Sequence, residues 1–167
     1  MDWNNWLRQF GRYIVIMILQ VFLFNQLQFF GVCHPYIYVL CLLMMPLTLR
    51  PSTDMLIGAG VGLMMDIFCN SLGIHMASCV LIMYIRRYLL GILVNDRDRL
   101  NEQISIHAIG FVAMLQYVVA LVVIHHLTVF ALAAWSWRHI GIVLLETLVS
   151  STITILVIIG YNTLKHR

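Results

Sequence analysis

Long stretches of the sequence contain no charged residue, and this feature restricts the fold more than any other. Three of them cover residues 13–49, 103–137 and 147–164. Apolar segments of about 18 residues or more without charge are typical of helices that cross a membrane. Hydrophobic residues make up 62% of the 167-residue chain and charged residues 10%, whereas soluble domains average about 45–50% and about 25%. These values exclude a soluble enzyme and a disordered chain, and they predict one all-α, polytopic membrane domain over residues 1–167.

Turn signals divide the apolar stretches into six predicted transmembrane helices. Residues 13–49 would reach roughly 55 Å as one helix, against a hydrocarbon core of about 30 Å, so the chain must break. We place this break at residues 31–35, with Pro35 in the first turn of the second helix. The predicted helices cover approximately residues 11–30, 35–49, 53–68, 72–87, 104–130 and 140–162. Residues 95–103 form the one strongly polar loop and are interpreted as a solvated turn.

The distribution of basic residues predicts the orientation of the six helices. Six spans place both termini on one side of the membrane, and nine of the ten Lys and Arg residues fall on that side. These nine are Arg8, Arg12, Arg50, Arg86, Arg87, Arg97, Arg99, Lys165 and Arg167. Only Arg138 falls in an outer turn. Because basic residues concentrate on the cytoplasmic side of membrane proteins, we expect both termini and the polar loop in the cytoplasm.

The sequence contains no catalytic set of residues and no metal-binding spacing of its four cysteines. We therefore predict no catalytic, cofactor-binding or metal-binding residues. His125 and His126 are expected as an exposed pair at the outer interface, because adjacent helical positions point about 100° apart and cannot chelate one metal. A metal site built from His34, His75 and His139, in the outer turns, remains an alternative.

Two acidic residues, Asp66 and Glu146, lie inside predicted spans. A charged side chain at mid-bilayer costs about 2.5–3.5 kcal/mol on translocon scales, which makes each a functional candidate. For Asp66 two interpretations stay open, a cap that accepts from the amides of residues 71–73 and an acid that meets a cation on a partner. Glu146 has no obvious partner, and Arg138 and His139 are the candidates.

Glycines set the predicted third helix apart. Gly58 and Gly62 form a small-xxx-small pattern, which allows another helix to approach closely, and Gly60 lies between them. We expect a thin helix at the centre of the bundle, with packing inside the chain favoured over an external partner. Asp54, near the start of this helix, is interpreted as a charge that matches the helix dipole.

The same region resembles the rod shape-determining MreD family of bacterial inner-membrane proteins. Residues 58–68, GAGVGLMMDIF, and residues 72–75, LGIH, resemble the family's G-x-x-x-G-L-x-x-D signature and its leucine–glycine turn. Pro35, after a short outer loop, also fits. The resemblance marks Pro35, Gly58, Gly60, Gly62, Asp66 and Gly73 as helix-packing or partner-interface candidates. Glu146 stays an intramembrane acid without an assigned role.

The resemblance implies a non-enzymatic scaffold of the cell-elongation machinery, which directs lateral peptidoglycan synthesis. The expected direct partner is MreC, and the expected further members of the complex are MreB, RodA and a penicillin-binding transpeptidase. We expect contact with membrane lipid, and we expect no cofactor and no binding of nucleic acid. The implied fold is similar to the substrate-binding subunits of energy-coupling-factor transporters, and small-molecule capture is therefore the alternative function. Such subunits dock through alanines in their first helix, and residues 11–30 contain none.

Overall fold

The computed structural model describes residues 3–25, 33–45, 47, 50–94, 104–135 and 139–165. The described chain is all-helical apart from its connections. Its helices are α1 (Trp3–Leu19, continued by a π-helical turn, Gln20–Phe24), α2 (Val39–Leu43), α3 (Pro51–Cys69), α4 (Ile74–Leu93), α5 (Ile106–Ile109), α6 (Phe111–Ala134) and α7 (Ile140–Lys165). The predicted polar loop at 95–103 lies outside the described residues, as does Arg138.

Four described helices, α3, α4, α6 and α7, are long and apolar enough to cross a membrane, and a shorter apolar helix covers Gly11–Phe24. They indicate a membrane protein, as the uncharged stretches predicted. The predicted bounds were close for α3 and α7, whereas α4 continues to Leu93, beyond the predicted end at 87. The predicted helix at 104–130 is divided, because Gly110 adopts a left-handed φ of 86° between α5 and α6.

The prediction of a helix over residues 35–49 was wrong. Among the described residues of that range only the five of Val39–Leu43 are α-helical, and Pro35 does not open the helix. One reason is that the side chain of Gln20 bonds the carbonyl of Pro35, which a helix beginning there would pair with an amide four residues further on. Its Oε1 accepts from the amides of Ile37 and Tyr38, at 2.7 and 3.3 Å, and its Nε2 donates to the carbonyl of Pro35 at 3.2 Å.

Residues 33–45, which we call the buried segment, occupy the centre of the protein. Residues 37–44 are all buried, and six of their side chains join the main hydrophobic core, where they meet residues of α3, α4 and α6. These six are Tyr38, Val39, Leu40, Leu42, Leu43 and Met44. Non-helical backbone is tolerated at membrane depth only where protein or a water-filled cavity surrounds it. The buried segment fits the first condition.

The long helices pack in chain order around this segment, α3 on α4, α4 on α6 and α6 on α7. The prediction that α3 lies at the centre of the bundle was wrong. One face of α3 packs on α4, and the opposite face exposes Leu56, Leu63 and Ile67, whose side chains are 72%, 50% and 71% accessible. The central position belongs to the buried segment, so α3 lies at the periphery.

Candidate functional site

Gly58 and Gly62 allow α3 to pack closely against α4. A Cβ added to Gly62 would lie 2.6 Å from the carbonyl oxygen of His75 and would overlap Cα of Met76. At Gly58 it would lie 3.1 Å from the carbonyl oxygen of Cys79. Both glycines therefore serve packing within the chain. The atoms nearest to Gly62 are backbone, whereas the atom nearest to Gly58 is the side-chain Cγ of Met83, at 2.7 Å.

Gly60 lies on the other side of α3. A Cβ added there would have no described atom within 4 Å, and the residue is exposed. Of the three signature glycines, Gly60 thus takes no role in the α3–α4 contact. It is the one that remains open to a partner.

Asp66 joins the end of α3 to the start of α4. Its Oδ1 accepts from the hydroxyl of Ser71 at 2.6 Å and from the amide of His75 at 2.9 Å, while Oδ2 accepts from the amide of Met76 at 3.0 Å. Amides at a helix N-terminus have no partner within the helix and favour a negative charge. This arrangement is a cap, as one interpretation of the sequence proposed, but its amide donors lie beyond residues 71–73.

The turn that Asp66 closes depends on left-handed backbone at two positions. Asn70 has a φ of 52° and ends α3, and Gly73 has a φ of 82° and precedes α4. Glycine takes such a φ without steric cost, which explains the residue at position 73. Leu72 between them is fully exposed, with 100% of its side chain accessible.

The prediction that His125 and His126 form an exposed pair was wrong, because both are 0% accessible. They belong to a cluster of five side chains that we call the histidine cluster, formed by Tyr36, Tyr38, His75, His125 and His126. The Tyr38 hydroxyl lies 2.8 Å from Nε2 of His125 and 3.1 Å from Nδ1 of His75. A tyrosine hydroxyl can donate one bond and accept another, so Tyr38 can link the two imidazoles.

The second histidine of the pair has its own partners. Nδ1 of His126 lies 2.9 Å from the carbonyl oxygen of Val122 and must therefore donate, which leaves Nε2 to accept from the Thr154 hydroxyl at 3.3 Å. Tyr36 stacks its ring 5.2 Å from that of His126. These contacts tie α6 to α7 and to the buried segment.

The alternative of a metal site in the outer turns is not matched by the placement of its histidines. His75 is buried in the first turn of α4, whereas His139 is exposed at the start of α7. Across the described ranges, no group of three or more His, Cys, Asp and Glu residues is arranged to hold a metal ion.

A buried ion pair at the other end of α3 was missed by the sequence reasoning. Asp54 and Arg86 are both fully buried and lie 3.2 Å apart, and Arg87 lies 3.1 Å from the same carboxylate oxygen. Arg86 Nη1 also donates to the carbonyls of Leu42 and Met45, at 2.8 and 3.0 Å. Asp54 therefore does more than match the dipole of α3: it holds the arginine that anchors the end of the buried segment.

A pocket of about 510 Å³ opens where the start of the buried segment meets the ends of α3, α4, α6 and α7. Its polar lining includes Asn25, His34, His75 and Glu146, and Tyr36 forms one of its aromatic walls. Pro35 also lines the pocket.

Glu146 lies on α7 and is partly buried. Within the described residues it makes no ion pair and no hydrogen bond, and its candidate partner His139 does not contact it. Its other candidate partner, Arg138, lies outside the described residues. Glu146 is therefore the charged residue among the described residues that line the pocket.

The structure brings some predicted residues together and separates others. Gly58, Gly62, Asp66 and Gly73 belong to one α3–α4 hairpin, whereas Glu146 lies on α7 and lines the pocket that the turn of this hairpin adjoins. Comparisons of the chain with protein-family models, with curated proteins and with solved structures give no match.

Proposed function

We propose that this protein is a non-enzymatic scaffold of the bacterial cell-elongation complex, located in the inner membrane. In this proposal it binds MreC directly and is linked through it to MreB, RodA and a penicillin-binding transpeptidase. The observation that supports the proposal is the α3–α4 hairpin. The residues that resemble the MreD signature are those that hold it, since Gly58 and Gly62 permit the contact and Asp66 caps α4.

The proposed fold is a bundle of six spans similar to the energy-coupling-factor substrate subunits, with both termini in the cytoplasm. The four long helices supply four spans. In the proposal α1 with its π-helical turn supplies the first, and the buried segment is a broken second span. A broken span needs partners for its backbone, and Gln20 and Arg86 provide them.

The outward face of α3 is the proposed contact surface for MreC. Leu56, Gly60, Leu63 and Ile67 follow one another at helical spacing and are all exposed. An open glycine between large apolar side chains allows a second transmembrane helix to approach closely. The face of α3 that packs on α4 cannot serve this purpose, because it is already covered.

A pull-down combined with complementation tests the proposal. Cells depleted of the native protein would receive tagged native protein, Gly60→Leu or the matched control Gly141→Leu, another glycine with no described atom near its Cβ position. Native protein should restore rod growth and co-purify with MreC and wall synthases from mild detergent. Gly60→Leu should accumulate normally but lose MreC and rod growth, whereas Gly141→Leu should behave as native protein.

Two results would argue against the proposal. Native protein that co-purifies with neither MreC nor wall synthases would remove the scaffold role itself. Full activity of Gly60→Leu would leave the role intact but would place the contact away from the outward face of α3.

Capture of a small molecule for an energy-coupling-factor transporter is the second candidate function. The pocket of about 510 Å³ favours it, because ligand sites typically measure about 300–1,000 Å³. The absence of alanine from residues 11–30 stands against the docking mode of such subunits. Co-purification with a coupling protein and its ATPases, in place of MreC, would favour this function.

A further inference from the structure

We infer that the pocket is a binding site for an organic ammonium group, which the Glu146 carboxylate and the rings of Tyr36 and Phe130 would hold. This inference does not depend on the scaffold role. If the protein is a scaffold, the ligand would stay bound inside the helix bundle. If it is a capture subunit, the ligand would be the transported molecule.

The charge of the lining selects a cation. Glu146 is the acid that lines the pocket, and no Lys or Arg of the described chain does so. An unpaired carboxylate inside a membrane helix is costly, and a bound cation would offset that cost. Asp66 does not compete for this cation, because its two oxygens already accept from Ser71 and from the amides of α4.

The aromatic walls favour an organic cation. The ring of Phe130 lies 6.0 Å from that of Tyr36 and 6.1 Å from that of His34, measured between centroids, so the three rings adjoin. Glu146 and Tyr36 line the same pocket as Phe130 and His34. An ammonium group is attracted electrostatically to an aromatic face, and aromatic cages that recognise choline use this contact.

The size and the donor set of the pocket argue against a bare metal ion. A volume of about 510 Å³ is far larger than one ion requires, and the described residues include no set of three metal-ligating side chains in position. Asn25 adds a neutral polar group to the lining, which can bond a hydroxyl or ester oxygen near the ammonium. An ammonium headgroup with two or more carbons fits this combination of charge, rings and volume.

Two sources offer this chemistry, a phospholipid headgroup and a free amine. The test uses full-length protein purified in mild detergent, as native protein, Glu146→Gln and Tyr36→Leu. Glu102→Gln is the matched control, because it removes the same charge from the predicted polar loop. Thermal unfolding of each variant would establish that it is folded before binding is measured.

Native mass spectrometry would measure retention of phosphatidylethanolamine against phosphatidylglycerol with the same acyl chains, and calorimetry would measure binding of choline and ethanolamine. Native protein should prefer an ammonium probe. Glu146→Gln should weaken its binding by about tenfold or more, which corresponds to about 1.4 kcal/mol. Tyr36→Leu should weaken it by a smaller factor, and Glu102→Gln should leave it unchanged.

The pattern of probes identifies the source. Retention of phosphatidylethanolamine without binding of choline or ethanolamine assigns a lipid headgroup, and binding of the free amines assigns a soluble ligand. Equal retention of the two lipids together with silent calorimetry would overturn the inference. Undiminished binding by a folded Glu146→Gln would also overturn it, whatever the result of the complementation assay.

Discussion

Replacing Gly62 by alanine should destabilise the protein, whereas the same change at Gly60 should not. The two glycines lie on one helix, two residues apart, and differ in what a new methyl group would meet. At Gly62 the methyl carbon would lie 2.6 Å from the carbonyl oxygen of His75 and 2.7 Å from the amide nitrogen of Met76. These neighbours are backbone atoms, so α3 and α4 would have to separate.

The expected magnitude follows from three contributions. Overpacking of a tight contact costs typically about 1–3 kcal/mol. Separation of the helices would also lengthen the bonds from the amides of His75 and Met76 to Asp66, and a hydrogen bond to a charged group contributes about 1.5–3 kcal/mol. Alanine recovers roughly 1 kcal/mol through its better helix propensity. We therefore expect Gly62→Ala to lose about 2–4 kcal/mol and Gly60→Ala to change by less than about 1 kcal/mol.

Unfolding of the purified variants in mixed micelles, followed by circular dichroism against a rising fraction of denaturing detergent, would measure the difference. Membrane immunoblots would show whether Gly62→Ala also lowers the amount of protein in cells. Equal unfolding free energies, within about 0.5 kcal/mol, would refute the close contact between α3 and α4.

Three further predictions concern the charged residues. Asp66→Asn should lose about 1–2 kcal/mol of stability, because an amide oxygen replaces two carboxylate acceptors at the cap, yet it should support rod growth; normal stability with failed growth would instead assign Asp66 to a partner. Asp54→Asn should cost about 3–5 kcal/mol, because it leaves Arg86 buried without its counter-ion, whereas Asp54→Leu combined with Arg86→Leu should cost less than the single change in the same unfolding assay. Asp98→Cys on a cysteine-free background should react with an impermeant thiol reagent only after the membrane is opened, and labelling of intact cells would contradict cytoplasmic termini and loop.

Hydropathy alone predicted the four long membrane helices, because a span must be long and largely apolar whatever it packs against. Turn-forming residue types predicted the break between the third and fourth helices, where Asn70 and Gly73 take the left-handed backbone that these types favour. These features depend on neighbouring residues in the sequence. For the same reason the spacing of Gly58 and Gly62 indicated a packing face before the neighbour was known.

The features that the sequence did not reveal depend on distant residues. Nothing local distinguishes His125 and His126 from an interfacial pair, and their burial follows from the packing of α6 between α4 and α7. The ion pair of Asp54 with Arg86 joins residues 32 apart in the chain. One signal was available: Asp54, Arg86 and Gln20 are polar residues in or next to long apolar stretches, where an unpaired polar group is costly.

The distribution of these polar residues explains why the interior holds together. A backbone segment without regular helix must find hydrogen-bond partners inside the protein, since lipid offers none. The partners of the buried segment come from four helical elements, with Gln20 from the π-helical turn, Arg86 from α4, Tyr117 from α6 and Ser150 from α7. Each bond fixes one helix relative to the same short segment, at separations of 15 to 116 residues.

Among the described long helices, α3 is not one of those that bond the buried segment directly. It reaches the centre through Asp54 and its contact with α4, and its outward face bonds to nothing in the described chain. A change on that face can therefore alter contacts with a partner without disturbing the backbone bonds of the buried segment, whereas a change at Gln20 or Arg86 must disturb the whole bundle. The separation gives the two proposals independent tests, because Gly60 on α3 and Glu146 in the pocket share no contact through which one variant could imitate the other.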